Sequence, residues 1–261
     1  MFGGSIPSGT ETVLHRFDST DGAYPEGSLA AINGALYGTT SSGGTTSGGG
    51  NCTAYYQRTC GVVFSISARG QGAYTILHNF LGPPSDGASP VGGLTGLNGV
   101  LYGTTTAGGS GYEWGQAGIV YSITPSETLT LLHLFANGYG DGANPQAGVI
   151  VNNGVVYGTT YSGGGHNEGT VFSIDQRGTE LILHSFGGHG DGANPFGGLV
   201  MLNHTLYGAT QNGGANSGGI LFSLTVHGDE NVLHNFAYPG GLGDGSQPVA
   251  LTKLRRYATF V

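Results

Sequence analysis

The chain has 261 residues, of which 54 are glycine and only 8% are charged. This glycine content excludes coiled coils and helical bundles, because glycine costs about 1 kcal/mol at each helical position. The glycines also lack the strict period of three that collagen requires. A net charge of −8 with seven Lys and Arg residues argues against nucleic acid and anionic membrane surfaces as partners. No apolar stretch reaches the 18 residues expected of a membrane span.

The first residues, MFGGSIPSGTET, contain neither the basic nor the apolar region of a signal peptide. We therefore expect that a signal peptide is absent or already removed. Cys52 and Cys60 lie in a loop rich in Gly, Ser and Thr, and neither has another Cys or a His at zinc-like spacing. We predict a Cys52–Cys60 disulfide, which implies an oxidising compartment and a secreted, periplasmic or cell-surface protein.

Four short motifs recur along the chain. Leu-His-x-Phe has its histidine at His15, His78, His133, His184 and His234. A DGxxP-like motif follows each copy, beginning at Asp21, Asp86, Asp141, Asp191 and Asp244. YGTT or a variant begins at Tyr37, Tyr102, Tyr157 and Tyr207, always 12 residues after the proline of DGxxP. An aromatic residue followed by Ser and Ile or Leu occurs at Phe64, Tyr121, Phe172 and Phe222.

Each repeat is interpreted as four antiparallel strands. Examples of the first to fourth strands are Gly198–Leu202, Thr205–Gly208, Thr170–Ile174 and Leu181–Phe186. Between the first and second strands, three repeats have Asn-Gly and the fourth has Asn203-His204. Asn-Gly between apolar runs predicts a type I′ hairpin turn, since both residues tolerate positive φ. A repeated unit of this kind, about 50 residues long, is typical of a β-propeller blade.

LYGTT, a glycine-rich stretch, G-x-V-F-S-I, L-H-x-F and DGxxP together resemble the Gloeobacter/Verrucomicrobium (GloVer) tandem repeat. The resemblance extends from Thr12 to about Pro248. It implies a propeller-like, often exported protein and specifies no activity.

The predicted fold is a single all-β domain, a monomeric five-bladed β-propeller with four-stranded antiparallel blades. Four blades occupy about 27–80, 92–135, 147–186 and 197–236. The fifth combines 249–261 with 1–17, through a first strand near Val249–Leu254 and a fourth strand near Glu11–Phe17. This arrangement closes the ring with N- and C-terminal strands and removes free sheet edges.

Alternating strand direction places the DGxxP loops and all long loops on one face. The long loops are 41–60, 106–117, 161–168 and 211–218. Binding chemistry tends to lie in long loops on a rigid scaffold, so we expect the site on this face. The repeated histidines are interpreted as structural, each a neutral imidazole bonded to backbone or to a loop carboxylate. The repeated aspartates are expected to cap their own turns.

Residues that occur once in the repeat pattern are the functional candidates. Candidate acids and bases are Glu113, His166, Glu168 and His189. Candidate ligand-contacting aromatics are Tyr55, Tyr56, Tyr112 and Trp114. The alternative for both groups is that they are ordinary loop residues without a functional role. Calcium prefers oxygen ligands, and the candidate ligands are Asp141 with Asn144 and Asp191 with Asn194.

Two functions follow as hypotheses, each with a small-molecule or saccharide ligand. The first resembles the propeller lactonases: a calcium-dependent hydrolase of a small ester-like ring, such as an acyl-homoserine lactone, in which a His or Glu activates water. The alternative is a carbohydrate-binding, lectin-like propeller or a glycoside-hydrolase-like one. A lectin is expected to repeat its aromatics in every long loop, which this chain does not do.

Overall fold

The computed structural model describes residues 12–45, 60–68, 73–84, 86–109, 117–136, 140–187, 190–237, 245–249 and 251. All regular structure within these residues is β-strand, which confirms the all-β prediction. In chain order the strands are β1 (Ala30–Ile32), β2 (Ala35–Thr40), β3 (Val62–Ser67), β4 (Thr75–Asn79), β5 (Gly87–Ala88), β6 (Thr95–Leu97), β7 (Val100–Thr105), β8 (Ala107–Gly108), β9 (Ile119–Ile123), β10 (Leu129–Leu134), β11 (Gly142–Ala143), β12 (Ile150–Asn152), β13 (Val155–Thr160), β14 (Ser162–Gly163), β15 (Thr170–Ile174), β16 (Glu180–Ser185), β17 (Gly192–Ala193), β18 (Val200–Leu202), β19 (Thr205–Ala209), β20 (Asn212–Gly213), β21 (Ile220–Thr225) and β22 (Glu230–Asn235). Among the described residues, none forms a helix with the length and apolar character needed to cross a membrane.

The longer strands form four antiparallel sheets, each with four strands in chain order. Sheets I to IV are β1-β2-β3-β4, β6-β7-β9-β10, β12-β13-β15-β16 and β18-β19-β21-β22. The short strands form two-stranded ladders, β5-β8, β11-β14 and β17-β20, which join the second, third and fourth DGxxP loops to the loop after a second strand. The four example strands predicted from sequence agree with the bounds of β18, β19, β15 and β16 to within two residues.

The first and second strands of every sheet are joined by a two-residue turn. In sheet I the turn residues Asn33 and Gly34 have φ values of 50° and 81°. Sheet IV keeps the same turn with Asn203 and His204, at 49° and 63°. Positive φ at both residues is the requirement of a type I′ turn, so the hairpin prediction is confirmed.

The YGTT motif places its small residues where neighbouring groups approach closely. A Cβ atom at Gly158 would lie 2.5 Å from the Phe172 ring of the adjacent third strand, so only glycine is accommodated. Thr159 donates its hydroxyl to the carbonyl of Gly197, which precedes the first strand of the next sheet, at 3.1 Å. The motif therefore packs one sheet internally and ties it to its neighbour.

The core lies between successive sheets. The phenylalanine of the first four Leu-His-x-Phe motifs packs edge-on against the third-strand aromatic of the following sheet, at centroid distances of 5.3–5.4 Å. These pairs are Phe17–Phe64, Phe80–Tyr121, Phe135–Phe172 and Phe186–Phe222. The repeated phenylalanine is thus a contact between successive sheets.

The strand predicted at Glu11–Phe17 is not formed over its described part, residues 12–17. A fourth strand needs a third strand as its ladder partner, and the aromatic-Ser-Ile motif of third strands occurs only four times in the sequence. Phe17 nevertheless packs on sheet I through Phe64. Most of the first strand predicted at Val249–Leu254 lies outside the described residues.

Candidate functional site

The repeated histidines are positioned by a β-bulge in the fourth strand of each sheet. In sheet III, His184 pairs with Val171 and Ile182 pairs with Phe172, which leaves Leu183 as the extra residue. The same shift precedes His78, His133 and His234. A bulge re-aims the following side chain, and here it directs the imidazole toward the DGxxP loop.

Each described histidine of the first four repeats meets the aspartate of its own DGxxP motif. The Nε2-to-carboxylate distances are 2.7 Å for His15–Asp21 and 3.1 Å for His78–Asp86, His133–Asp141 and His184–Asp191. The aspartates also accept backbone hydrogen bonds: Asp141 accepts from the N–H groups of Ala136 and Gly142, at 2.6 and 2.7 Å. The structural interpretation of these residues from sequence therefore agrees with their contacts.

A residue from the next repeat contacts the His–Asp pair at three of the four sites, and Leu129 occupies the equivalent position at the remaining site. This residue lies four residues before the next repeated histidine, and its identity changes along the chain. We call the resulting sets junctions one to four: His15, Asp21 and Tyr74; His78, Asp86 and Leu129; His133, Asp141 and Glu180; and His184, Asp191 and Glu230.

At junction one the ring of Tyr74 stacks on His15, with centroids 3.9 Å apart and planes inclined by 8°. Its hydroxyl donates to the backbone carbonyl of Asp21 at 2.5 Å. Burial and the charge of Asp21 raise the pKa of Tyr74. Leu129 at junction two has no polar atom and packs on the core shared by sheets I and II.

At junction three the Glu180 side chain is only 10% exposed, and its Oε2 lies 3.5 Å from His133 Nε2. Its other oxygen, Oε1, is buried without a hydrogen-bond partner. The pKa of Glu180 is raised to about 7, chiefly by burial; the charge of His133 opposes the rise, and the charge of Asp141 and a hydrogen bond with it add to the rise. Single ligand atoms of His133, Asp141 and Glu180 all lie within 4.8 Å of one another.

The pKa values of His133 and Asp141, the two partners of Glu180, shift in opposite directions. Burial lowers the pKa of His133, but the Asp141 hydrogen bond and the charges of Glu180 and Asp141 outweigh it, so the net shift is upward. Burial raises the pKa of Asp141, but the bonds from His133, Ala136 and Gly142 outweigh it, so that pKa is lowered. The junction therefore holds one readily ionised carboxylate beside one that resists ionisation.

Junction four repeats this arrangement more loosely. Glu230 Oε2 is 3.9 Å from His184 Nε2, and Glu230 Oε1 is also buried without a partner. Burial and the charge of Asp191 raise the pKa of Glu230. Sequence reasoning included the two glutamates only among the many candidate acids of a glycoside hydrolase and did not place them at a site. Their signal is a Glu four residues before the repeated His, but the partners belong to the preceding repeat, which a linear motif does not reveal.

The unique residues predicted as catalytic are only partly described. His166 is exposed and Glu168 half-buried, and both lie beside Gly187, whose added Cβ would meet the two side chains at 2.5 and 3.1 Å. The other predicted catalytic and aromatic residues lie outside the described residues: Glu113, His189, Tyr55, Tyr56, Tyr112 and Trp114. Their roles stay predictions.

The asparagines predicted to bind calcium are held in loop hydrogen bonds. Asn144 donates to the Thr106 carbonyl at 3.0 Å, and its Oδ1 accepts from Ser162 at 2.7 Å. Asn194 likewise donates to the Tyr161 carbonyl at 3.0 Å and accepts from Asn212 at 3.0 Å. Calcium binding by Asp141, Asn144, Asp191 and Asn194 stays a prediction.

Cys60 is buried immediately before the third strand of sheet I, and its sulfur is not a free thiol. Its predicted partner, Cys52, lies outside the described residues. The Cys52–Cys60 pairing therefore stays a prediction.

A pocket of about 440 Å³ lies on the face of the DGxxP loops, between the first two repeats. Its lining includes Tyr24, Glu26, Ser41, Ser89 and Thr106. The Ser41 hydroxyl donates to the Glu26 carboxylate at 3.1 Å. Tyr24 is 65% exposed and has a φ of 57°. A second pocket, of about 610 Å³, is lined mainly by aliphatic residues of the first strands of sheets III and IV.

The family model of the Gloeobacter/Verrucomicrobia repeat matches residues 44–259, and the chain belongs to this family. No curated protein matches the chain. Similar solved structures include YjhT, with 14% identity and a TM-score of 0.43, and a luciferin-regenerating enzyme, with 12% identity and a TM-score of 0.43. A third is the GH43 protein BlXynB from Bacillus licheniformis, with 13% identity and a TM-score of 0.41. The alignments cover 84%, 86% and 82% of this chain, but 67%, 64% and 42% of those chains.

Proposed function

We propose that the chain is a five-bladed β-propeller that binds a saccharide in the pocket between its first two DGxxP loops. The observation that carries the ligand assignment is Tyr24. A bulky residue with positive φ is an outlier, and residues held in strained backbone conformations cluster at functional sites. The equivalent residues of the other repeats are Ser89, Asn144, Asn194 and Gln247, all with φ between 54° and 56°.

The pocket chemistry supports a sugar as the ligand. An exposed aromatic ring offers an apolar face for a pyranose ring, and few, well-placed polar groups fix the orientation of a ligand. Beside Tyr24 the pocket offers the Glu26 carboxylate and the hydroxyls of Ser41 and Thr106. Because the aromatic occurs in only one of the five DGxxP motifs, we propose a single site and not a multivalent ring.

The pocket favours binding over glycoside hydrolysis. Hydrolysis of glycosides normally requires two carboxyl groups about 5 to 10 Å apart. Among the described residues that line the pocket, Glu26 is the only one with a carboxyl group. The carboxylate pairs Asp141–Glu180 and Asp191–Glu230 lie at the inter-sheet junctions, where their oxygens are directed at a histidine.

Closure of the ring by a fifth blade is part of the proposal. The fifth DGxxP motif supports it, because Gln247 has the same positive φ as its counterparts and donates its N–H to Gly218 at 2.8 Å. A closed ring has no free sheet edge and predicts a monomer by light scattering after size-exclusion chromatography. Concentration-dependent association would contradict closure.

The experiment on the site measures binding to a panel of neutral oligosaccharides by glycan array and calorimetry. Tyr24→Asn removes the ring and installs the residue found at two equivalent positions, so the fold is retained. We expect the affinity to fall at least tenfold, which corresponds to about 1.4 kcal/mol. Leu181→Ala, an exposed apolar residue on a fourth strand, is the matched control and should bind normally.

Hydrolysis assays with the same sugars and with lactones separate the competing functions. Release of reducing sugar would favour the glycoside-hydrolase alternative, with Glu26→Gln as the diagnostic variant. Lactones, assayed with calcium and with chelator, test the lactonase hypothesis, for which His166→Ala and Glu168→Gln are the described candidates. Failure of every sugar to bind, or unchanged affinity in Tyr24→Asn, would reject the saccharide proposal.

A further inference from the structure

The third inter-sheet junction brings together three side chains that commonly ligate transition metals. Imidazole suits Zn²⁺ and other late divalent ions, whereas Ca²⁺ takes oxygen ligands and six to eight of them. His133 supplies one nitrogen, and Asp141 and Glu180 supply one oxygen each. The donor set therefore differs from that expected of a calcium site.

The distances suit a small tetrahedral ion. With bonds of about 2.1 Å, two ligands of tetrahedral Zn²⁺ lie about 3.4 Å apart. His133 Nε2 is 3.1 Å from Asp141 Oδ1 and 3.5 Å from Glu180 Oε2. The ligand atoms of the two carboxylates lie within 4.8 Å of one another, so one ion can be placed between the three side chains.

Glu180 provides an independent observation that points to a ligand. Its side chain is only 10% exposed, and its Oε1 is buried with no hydrogen-bond partner. Buried polar atoms are normally paired, and each exception requires an explanation such as an ion. A second carboxyl group placed beside the ionised Asp141 is costly unless it takes up a proton or faces a cation.

We propose that His133, Asp141 and Glu180 bind a divalent transition-metal ion of the Zn²⁺ type, which crosslinks sheet II to sheet III. His184, Asp191 and Glu230 form a second, looser copy between sheets III and IV, with distances of 3.1 and 3.9 Å from the imidazole nitrogen. Each ion joins a His–Asp pair of one repeat to the fourth strand of the next. The role is structural and independent of the saccharide pocket.

Junctions one and two supply the internal comparison. They retain the His–Asp pair but carry Tyr74 and Leu129 in place of the glutamate, so they offer two ligands and not three. Glu180→Leu therefore converts junction three into the form that this scaffold already accepts at junction two. Glu180→Gln preserves the size of the side chain and removes its charge.

The test uses the untagged full chain, dialysed against chelator and then titrated with Zn²⁺ by calorimetry. We expect Zn²⁺ at a hundredfold excess over Kd to raise Tm by about 5 °C or more, and Ca²⁺ to have no comparable effect. In Glu180→Leu and Glu180→Gln we expect the stoichiometry to fall by one ion per chain. His227→Ala, which removes an exposed histidine outside the junctions, should leave it unchanged.

Two results with the wild-type chain and the Glu180 variants would overturn the proposal, and a third comes from a variant at Leu129. One is a folded wild-type chain whose Tm and calorimetric signal do not respond to Zn²⁺, in which case the junction holds a proton between its two carboxylates. The other is full Zn²⁺ stoichiometry in folded Glu180→Leu or Glu180→Gln. As a gain-of-function check, Leu129→Glu should add one ion per chain, and a folded variant without the additional ion would also count against the proposal.

Discussion

Junctions two and three share one backbone and differ in one side chain. Both have a bulge before the histidine, a His–Asp contact of 3.1 Å, and an aspartate that accepts two backbone N–H groups. Junction two is completed by Leu129 and junction three by Glu180. The comparison shows that the His–Asp pair and the turn are sufficient to define the backbone, and that the fourth-strand position is free to vary.

The largest expected effect comes from removing the aspartate at each of these junctions. Asp86→Ala deletes the partner of His78 and the acceptor of two backbone N–H groups. Loss of hydrogen bonds to a half-buried charged group should destabilise the fold by about 2 to 4 kcal/mol. Asp141→Ala should cost about 1 kcal/mol less, because Glu180 at 3.5 Å remains as a partner for His133.

Urea unfolding of the two variants in chelator, with wild type alongside, measures the difference. Asp229→Ala, at a turn that makes only exposed hydrogen bonds, is the control and should stay within about 1 kcal/mol of wild type. Equal losses in Asp86→Ala and Asp141→Ala would show that Glu180 does not substitute for the missing aspartate.

The second-largest expected difference between the two junctions is in how the free energy of unfolding depends on pH. The pKa of Glu180 is raised from 4.5 to about 7 in the folded state, so the folded chain binds the proton more tightly than the unfolded chain. Stability therefore falls as pH rises through this window. The raised pKa of His133 adds a loss of the same sign above 6.5, whereas the lowered pKa of Asp141 acts only near and below 3.8.

Glu180→Leu removes the contribution of the glutamate. In chelator, its stability relative to wild type should improve between pH 4 and pH 8, by on the order of 1 to 3 kcal/mol, since one pKa unit is about 1.4 kcal/mol. Glu230→Leu should change in the same direction, because the pKa of Glu230 is also raised. A variant whose difference from wild type is independent of pH would contradict the raised pKa of Glu180.

Sequence reasoning predicts the sheets well because every unit repeats its local signals. The Asn-Gly turns, the strand bounds near Thr170–Ile174 and the separation of DGxxP from YGTT all follow from short-range constraints on φ and side-chain alternation. The strand expected at residues 12–17 fails for a non-local reason. Its apolar pattern is present, but a strand needs a ladder partner, and among the described residues no third strand pairs with residues 12–17.

The junctions are harder to predict, because their third member is a neighbour in space and not in sequence. The sequence search favours residues that break the repeat, such as His166 and Glu168, and treats repeated residues as structural. Glu180 and Glu230 belong to neither group alone. They occupy a repeated position at which the residue type varies, and they contact repeated residues. The relevant comparison is therefore between equivalent positions of successive repeats, here Tyr74, Leu129, Glu180 and Glu230.

The smallest expected effect concerns Tyr121, which supplies the buried hydroxyl near junction two. The side chain is fully buried and its hydroxyl has no hydrogen-bond partner, whereas the other three sheets carry phenylalanine there. An unpaired buried hydroxyl costs about 1 to 3 kcal/mol, so Tyr121→Phe should stabilise the fold by about 1 kcal/mol and raise Tm by about 2 to 4 °C. Phe172→Tyr is the reciprocal variant in sheet III and should lower Tm.

Because Tyr121 lies at a junction without a glutamate, the gain in stability of Tyr121→Phe should be the same with Zn²⁺ and with chelator. A loss of stability in Tyr121→Phe would mean that the hydroxyl is paired, and the two junctions would then differ in more than the residue at position 129 or 180.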